Sequence, residues 1–361
     1  MAYMNQVIPM LSQLWKRQVE TGERFSVELV SGPGLGKSMG VEQAGRLVQK
    51  QWSLPDFTVK KFFLSTVEAP DVRGYGCPDL EAREMWFTKA PWMPKEGDAA
   101  AGFIFLDEYR QSGHDVQKPS AELLNAGQVG DSKLPIEYMV VAASNRESDR
   151  SGVQRSLAFI ENRRIELKVE PHLDSWVEWA EQEGNIHWAA IAFAKAQPGL
   201  IFQDKVPDKP GPFCTPRSFC KVSHLIGDYF SEGDFIELCS GAIGEGTTAQ
   251  FVSFMRVVEQ LPDFEDIVAN PMKCKLPDKE RPDAQYAATQ MIAHRVDGDT
   301  AEPAFDYLKR MPREFQVSGI KAAMRKTGPS LVQSKKFAGW LRQNQDLLVA
   351  ANLIDPKRGG M

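Results

Sequence analysis

A glycine-rich loop followed by lysine and serine occupies residues 31–38. Such loops bind phosphate because successive backbone N–H groups point at the anion at the start of a helix, and glycine lets the backbone come close. Lys37 is predicted to reach the β- and γ-phosphates of ATP, and the Ser38 hydroxyl is predicted to bind Mg²⁺. The predicted nucleotide-binding residues are Gly32, Pro33, Gly34, Leu35, Gly36, Lys37, Ser38 and Met39.

The loop departs from the pattern G-x-x-x-x-G-K-[ST] at its first position, where Ser31 stands in place of glycine. We expect the adjacent Gly32 to supply the missing backbone freedom. A dinucleotide-binding loop, G-x-G-x-x-G, is excluded because Lys37 occupies the position of its third glycine. The remaining alternative is a glycine-rich turn that arose by chance, and the location of the loop between a predicted strand and a predicted helix argues against it.

Two adjacent carboxylates, Asp107 and Glu108, follow the apolar run of residues 103–106. The run predicts a buried strand, and ligands of open α/β sheets bind at the C-terminal ends of strands. Asp107 is predicted to hold the Mg²⁺ shell, and Glu108 to orient or deprotonate a water molecule. This pairing favours hydrolysis over phosphate transfer to a small molecule. The alternative is a pair of surface carboxylates that ends a strand, and the nearby glycine loop argues against it.

Three more polar residues are candidates for a catalytic role. Asn145 ends the next apolar strand, where its amide could polarise the attacking water together with Glu108. Arg163 precedes a further predicted strand, and Arg217 lies in a helical region. An arginine that reaches a γ-phosphate can contribute about 10³–10⁵-fold in rate. Without the neighbouring motifs, ordinary turn chemistry would be the better explanation of an asparagine after a strand, and most arginines are solvated surface residues.

The elements that position these residues follow from hydrophobic periodicity. Residues 8–19, 39–49 and 118–125 have the spacing of helices. The predicted strands are residues 25–30, 57–67, 102–106, 139–143 and 165–169. This alternation predicts an α/β fold, a parallel sheet with helices on both faces.

Three domains are expected along the chain. Residues 1–170 form the α/β nucleotide-binding domain, residues 171–269 a helical lid, and residues 270–361 a helical C-terminal extension. Within the last two, helices are predicted near residues 222–230, 286–294, 304–310 and 337–354, and residues 270–283 read as a linker.

Composition narrows the classes of function. The formal net charge of the 361 residues is -5, which gives no general signal for nucleic-acid binding. Five cysteines without a Cys-x-x-Cys pair argue against a disulfide framework and for a reducing compartment. No apolar run approaches the roughly 20 residues of a membrane helix. We therefore expect a cytoplasmic location and no membrane partner. The scattered histidines predict no zinc site.

Taken together, the order of these motifs resembles the AAA+ ATPases, and more closely their MoxR-like branch in bacteria and phages. The resemblance covers residues 8 to about 265. Its more specific motifs are Glu68-Ala69-Pro70-Asp71-Val72-Arg73-Gly74, Leu106-Asp107-Glu108, residues 142–145, Asp149-Arg150-Ser151-Gly152, Asn162-Arg163 and Thr215-Pro216-Arg217-Ser218.

The resemblance implies specific roles for these residues. Residues 31–38 would be Walker A, Asp107 and Glu108 Walker B, and Asn145 sensor 1. Arg163 would be the arginine finger that acts on a neighbouring subunit, and Arg217 would be sensor 2. ATP and Mg²⁺ would then lie between subunits of a homo-oligomeric ring, usually a hexamer.

Two loops would face the pore of such a ring. Residues 75–92 resemble the helix-2 insert, and residues 127–137 the hairpin before sensor 1. From the sequence alone, the aromatic residues of the first loop could either grip a partner or form a small core of their own.

One departure from the family's sequence pattern affects the assignment of the arginine finger. Arg164 follows Arg163 where members of the family often have an aromatic residue, which leaves Arg164 and Arg155 as alternative fingers.

The leading hypothesis is an ATP-driven, chaperone-like remodelling ATPase. The resemblance implies that its partner is a protein, with a von Willebrand factor A-like protein as the implied candidate. The alternative is a nucleic-acid motor or loader, since lysines and arginines can line a pore even in a chain without a basic run. A nucleotide-binding scaffold with little turnover is the third possibility, and the intact Glu108 argues against it.

Overall fold

A computed structural model of the chain describes residues 2–149, 152–153, 163–203 and 205–353. The chain divides into two compact units, Met1–His172 with Asp204–Asp208 and Leu173–Gln203 with Lys209–Met361. The predicted boundary between lid and C-terminal extension falls inside the second unit, and this finer division stays a prediction.

The first unit contains both strands and helices. The described strands are β1 (Ser26–Ser31), β2 (Thr58–Phe63), β3 (Gly76–Asp79), β4 (Glu84–Phe87), β5 (Gly102–Asp107), β6 (Gln128–Val129), β7 (Ser132–Lys133), β8 (Tyr138–Asn145) and β9 (Ile165–Lys168). The described helices are α1 (Met4–Thr21), α2 (Lys37–Gln51), α3 (Ala69–Arg73) and α4 (His114–Ala126).

Five of these strands form one parallel sheet in the order β2-β5-β8-β1-β9. The predicted α/β fold is therefore confirmed, and all five predicted strands are present. The predicted second strand is shorter than expected, because Leu64–Thr66 form a 3₁₀ turn that ends it.

The register of the sheet aligns the strand ends that matter for the site. Ser31 of β1 is paired with Asn145 of β8, and Phe63 of β2 with Asp107 of β5. Because all five strands are parallel, the residues that follow β1, β2, β5 and β8 emerge at one edge of the sheet.

Hydrophobic side chains cover the two faces of the sheet in alternation along β5. Phe103 and Phe105 pack into the cluster that contains α1 and α2, whereas Ile104 and Leu106 pack into the cluster that contains α4. All four side chains are fully buried. At roughly 1.5–3 kcal/mol for each such side chain, these two layers hold the C-terminal end of β5 in place.

The second unit is helical in its described residues. Its helices are α5 (Leu173–Gln182), α6 (Trp188–Ala196), α7 (Pro198–Ile201), α8 (Pro216–Ser223), α9 (Glu232–Ile243), α10 (Glu245–Val258), α11 (Phe264–Ala269), α12 (Pro282–Arg295), α13 (Ala301–Leu308), α14 (Arg313–Gln333), α15 (Lys335–Gln343) and α16 (Gln345–Ala350). No described helix has the length and apolar character needed to cross a membrane.

Two helix predictions in this unit are wrong. The helix expected at residues 222–230 ends at Ser223, and Gly227 beyond it has a φ of 144° that an α-helix does not allow. The helix expected at residues 337–354 is two helices separated at Asn344, whose backbone leaves helical geometry at a φ of −124°. Ile354 itself lies outside the described residues.

Candidate nucleotide-binding site

The glycine loop has the backbone geometry of an anion-binding turn. Gly34 and Gly36 have φ values of 74° and 81°, a left-handed conformation that only glycine adopts at little cost. Gly36 is the N-cap of α2, and a Cβ atom added there would find no other atom within 4 Å. The loop therefore leaves open space at the positive, N-terminal end of α2, where an anion could bind to backbone N–H groups.

Lys37 links this loop to the end of β8. Its side chain is buried, and its Nζ donates to Asn145 Oδ1 at 2.9 Å, to Ser31 Oγ at 3.1 Å and to the Gly32 carbonyl at 3.2 Å. The β1–β8 register makes the first contact possible because Ser31 and Asn145 are direct neighbours. The structure thus brings the predicted phosphate-binding lysine and the predicted sensor asparagine into hydrogen-bonding contact.

The serine at the first loop position takes part in the same network. The Ser31 hydroxyl accepts a hydrogen bond from Lys37 and donates one to the Gly32 carbonyl at 2.9 Å. A glycine at position 31 would lack both contacts. The departure from the usual motif therefore supplies a side chain that holds the lysine against the loop.

Ser38 and Asp107 meet next to the loop. The Ser38 hydroxyl donates to Asp107 Oδ2 at 2.7 Å, and both oxygens lie at the edge of the sheet where β5 ends. Mg²⁺ in nucleotide sites binds one or two protein oxygens and completes its shell with phosphate oxygens and water. A serine hydroxyl beside a carboxylate is such a donor pair, and the two residues fit the ion expected from the sequence.

Glu108 follows directly with an unusual backbone conformation. Its φ is 58°, which is rare for a residue other than glycine and is found preferentially at functional sites. The half-buried carboxylate accepts a hydrogen bond from the Ser65 hydroxyl, and the Glu108 N–H donates to Asp107 Oδ1 at 3.0 Å. Ser65, in the 3₁₀ turn that follows β2, thus fixes the direction of the Glu108 carboxylate.

Sequence reasoning missed Ser65. Its signal is positional, because Ser65 follows β2, and β2 is the neighbour of the strand that ends in Asp107. Only the order of strands in the sheet reveals that neighbourhood.

Arg146 is a second residue that sequence reasoning did not single out. It follows Asn145, and its guanidinium is paired with the buried Asp149 at 3.2 Å between Nη2 and Oδ1. A Cβ atom added at Gly32 would lie 3.0 Å from Arg146 Nη2. The end of the arginine side chain therefore packs close to position 32, and a larger residue there would require it to shift.

The three candidate fingers have different surroundings. Arg163 lies in an exposed turn before β9, whereas the Arg164 side chain is only 1% exposed and is ion-paired with Glu28. The Arg164 guanidinium also lies 5.9 Å from the centroid of the Tyr109 ring. This burial and pairing favour the exposed Arg163 over Arg164, and the choice among the candidate fingers stays a prediction. Arg155 lies outside the described residues, as do Arg150, Ser151 and Asn162 of the quoted motifs.

Arg217 belongs to the second unit. It lies in the first turn of α8, where the Thr215 hydroxyl caps the helix by accepting from the Ser218 N–H at 3.1 Å. Its side chain is exposed. The sensor-2 role stays a prediction.

The aromatic stretch at residues 75–92 separates into two parts. Trp92 is only 2% exposed, and its Nε1 donates to the Val72 carbonyl at 2.7 Å, so it belongs to the core. The antiparallel hairpin β3–β4 and the residue just before it, by contrast, expose a set of large apolar side chains. These are Tyr75, Leu80, Met85, Trp86 and Phe87, with exposures of 55%, 84%, 61%, 54% and 39%. A second, shorter hairpin, β6–β7, lies within residues 127–137 as expected.

The chain is distantly similar in structure to proteins of known structure. No family model and no curated protein matches the chain. A solved structure of a Thermotoga maritima RuvB mutant is similar over 76% of this chain and 78% of its own, at 14% identity and a TM-score of 0.39. The structure of C. elegans PCH-2 is similar over 72% of this chain and 64% of its own, at 12% identity and a TM-score of 0.33. The candidate site is defined by the strand order, register and side-chain contacts of the chain itself.

Proposed function

We propose that this chain is an ATP-hydrolysing AAA+ protein of the MoxR-like type that assembles into a ring, usually a hexamer, and remodels a protein partner. The observation that carries the ATPase part is the convergence of Lys37, Ser38, Asp107, Glu108 and Asn145 at one edge of the parallel sheet. These side chains come from three separate stretches of the sequence and meet only through the register of the sheet.

Each residue has a distinct task in the proposed reaction. Lys37 exchanges its contacts with Ser31 and Gly32 for the β- and γ-phosphates, while the loop N–H groups bind the same phosphate oxygens. Ser38 and Asp107 would hold Mg²⁺, which supplies positive charge to the phosphate oxygens when it is bound.

Water activation falls to the carboxylate and the amide. Glu108, held in direction by Ser65, orients the attacking water and accepts its proton, and Asn145 polarises the same water. Arg163 of a neighbouring subunit stabilises the charge that develops on the transferred phosphate. Arg217 is proposed as sensor 2 within this scheme.

Replacing Lys37 with methionine is expected to weaken ATP binding at least about tenfold, because a charge-assisted hydrogen bond contributes roughly 1.5–3 kcal/mol. Equilibrium titration with a fluorescent ATP analogue measures this. The matched control is Lys50→Met, which removes an exposed lysine from the last turn of the same helix and should leave the affinity unchanged. Equal affinities for Lys37→Met and the unsubstituted protein would show that the glycine loop is not the nucleotide site.

The partner is proposed from the exposed hairpin β3–β4. Between Gly76 and Phe87 the chain carries three acidic residues and one basic residue, alongside the exposed apolar side chains. An apolar surface with excess negative charge suits a polypeptide and repels a phosphate backbone. This favours a protein over a nucleic acid as the substrate. The resemblance adds a von Willebrand factor A-like protein as the first candidate.

Substitution of Trp86 with serine is expected to reduce the stimulation of ATP turnover by an unfolded polypeptide several-fold, since an exposed tryptophan is a frequent energetic centre of protein contacts. The measurement is the ratio of turnover with and without a permanently unfolded casein. Met10→Ser, which removes an apolar side chain that is 43% exposed on α1, serves as the control. Stimulation by single- or double-stranded DNA that falls with salt, without stimulation by casein, would instead support the nucleic-acid motor or loader.

A further inference from the structure

A cluster of charged residues is buried within the first unit, around the strand β1 that leads into the glycine loop. Its centre is Glu28, in the middle of β1, whose side chain has no solvent exposure. Arg110 binds this carboxylate with two hydrogen bonds, at 2.7 Å from Nε and 2.9 Å from Nη2. Arg164 donates to it from the other side through its own Nε. Glu166 at the margin of the cluster accepts from Arg110 Nη2 at 2.5 Å.

Each partner that donates a hydrogen bond to Glu28 lies within two residues, in sequence, of a residue of the proposed site. Arg110 comes two residues after Glu108, and its backbone N–H donates to Ser144 Oγ at 3.2 Å. Ser144 immediately precedes Asn145, and its hydroxyl donates to Glu28 Oε1 at 2.6 Å. One carboxylate thus holds the segments on which two of the proposed water-activating residues lie.

The third hydrogen-bond partner of Glu28, Arg164, is next to the proposed arginine finger in sequence. Arg164 is the residue next to Arg163, and the buried pair with Glu28 anchors the start of β9. Arg163 itself lies in the exposed turn beside this anchor. The same carboxylate therefore fixes both the residues that act on a subunit's own nucleotide and the segment that reaches a neighbour.

The electrostatics of Glu28 support a charged, fixed group. Burial raises its pKa, but the hydrogen bond from Arg110 and the charges of Arg164 and Arg110 outweigh burial, so its pKa lies below the ordinary value. Burying such a set of charges contributes little to stability compared with apolar residues of the same volume. A role in fixing geometry accounts better for its presence at the centre of a β-strand.

We infer that Glu28 is a positioning residue that couples the two halves of the composite ATP site, through Arg110 and Ser144 to the nucleotide-binding half and through Arg164 to the arginine-finger half. This inference rests on the proposed function. It assigns Arg164 the task of holding the Arg163 segment in place. Each subunit's ability to hydrolyse its own nucleotide and its ability to serve its neighbour then depend on one ion cluster.

The test uses Arg164→Met and Glu28→Gln in the full-length chain, with Arg17→Met as an exposed control on α1. Since misplacing a catalytic group by about 1 Å can cost on the order of 10²-fold, both variants should lose about that factor in kcat. The affinity of Arg164→Met for ATP should stay unchanged, because only the finger half is displaced. The control should keep both constants.

Mixing each variant with Glu108→Gln separates the two halves. Arg164→Met subunits keep an intact nucleotide half, so fingers donated by Glu108→Gln subunits should restore part of the turnover. Glu28→Gln is damaged in both halves and should not be rescued. Full turnover by Arg164→Met alone, or equal rescue of the two variants, would overturn the inference.

Amide hydrogen exchange gives a readout that does not depend on ATPase activity. Both variants should accelerate exchange in the peptide that spans residues 163–168, compared with Arg17→Met. Unchanged exchange there would refute the anchoring role even if the chain proved not to hydrolyse ATP. Faster exchange in a chain without turnover would leave the anchor standing and reject the proposed function. If Glu28→Gln fails to fold by circular dichroism, Ser144→Ala replaces it, because it removes the contact of Glu28 with the nucleotide-binding half and should lower kcat and remain unrescued.

Discussion

Replacing Arg163 with alanine is expected to lower ATP turnover by about 10³–10⁵-fold, the range over which an arginine on the γ-phosphate contributes to phosphate transfer. The physical reason is that a guanidinium neutralises charge that develops only as the phosphate leaves. Binding of ATP, which depends on Lys37 and the glycine loop, should change little. Steady-state phosphate release and equilibrium ATP binding, measured on the same preparation, separate the two effects.

If Arg163 acts on the nucleotide of a neighbouring subunit, mixing two inactive variants should restore activity. Arg163→Ala subunits mixed with Glu108→Gln subunits should regain part of the turnover, since one supplies an intact water-activating carboxylate and the other an intact finger. Arg17→Ala, which removes an exposed arginine from α1, is the control and should behave as the unsubstituted chain. Absence of any recovery at subunit concentrations that give rings would contradict a finger supplied from a neighbour.

Glu108→Gln is expected to reduce turnover by about 10²–10⁴-fold while ATP binding is retained. Glutamine keeps the size of the side chain and can still accept the Ser65 hydrogen bond, but it cannot take a proton from water at neutral pH. The measurement pairs single-turnover hydrolysis with nucleotide binding.

An exposed carboxylate provides the comparison for this variant. Glu122→Gln changes the same functional group on the surface of α4 and should hydrolyse ATP at the normal rate. If Glu108→Gln retained full turnover, the assignment of Glu108 as the water-activating residue would be wrong. If it lost ATP binding as well, its role would be structural.

The sheet and the outline of the site could be predicted because their signals are local. The apolar runs before Asp107 and Asn145 and the loop before Lys37 each lie within a few consecutive residues. A parallel sheet then brings the ends of those strands to one edge, whatever their separation in the sequence. The contacts among Lys37, Ser38, Asp107 and Asn145 follow from that rule.

What escaped prediction depends on neighbours that are distant in sequence. The Ser65–Glu108 bond requires the adjacency of β2 and β5, and the burial of Arg164 requires its pairing with Glu28. Trp86 and Trp92 occur in the same aromatic stretch, yet one is 54% and the other 2% exposed. Composition cannot distinguish them, because the hairpin that carries Trp86 projects its side chains while Val72 accepts the Trp92 indole N–H.

The sequence carries one signal of the buried charge cluster around Glu28. Glu28 stands between Val27 and Leu29 in the middle of a predicted strand, and a charged residue in such a position predicts a buried partner of opposite charge. The two arginines that serve as partners lie 82 and 136 residues away in the sequence. The need for a partner was therefore predictable, and its identity was not.

The central claim is that the chain hydrolyses ATP at the site formed by the glycine loop and the Asp107–Glu108 pair. Its most direct test is the steady-state release of phosphate from ATP by the purified full-length chain, with and without Mg²⁺, beside Lys37→Met. Phosphate release is expected to require Mg²⁺ and to be lost in Lys37→Met. Release that persists in Lys37→Met, or no release by the unsubstituted chain under conditions where it forms rings and binds ATP, would contradict the claim.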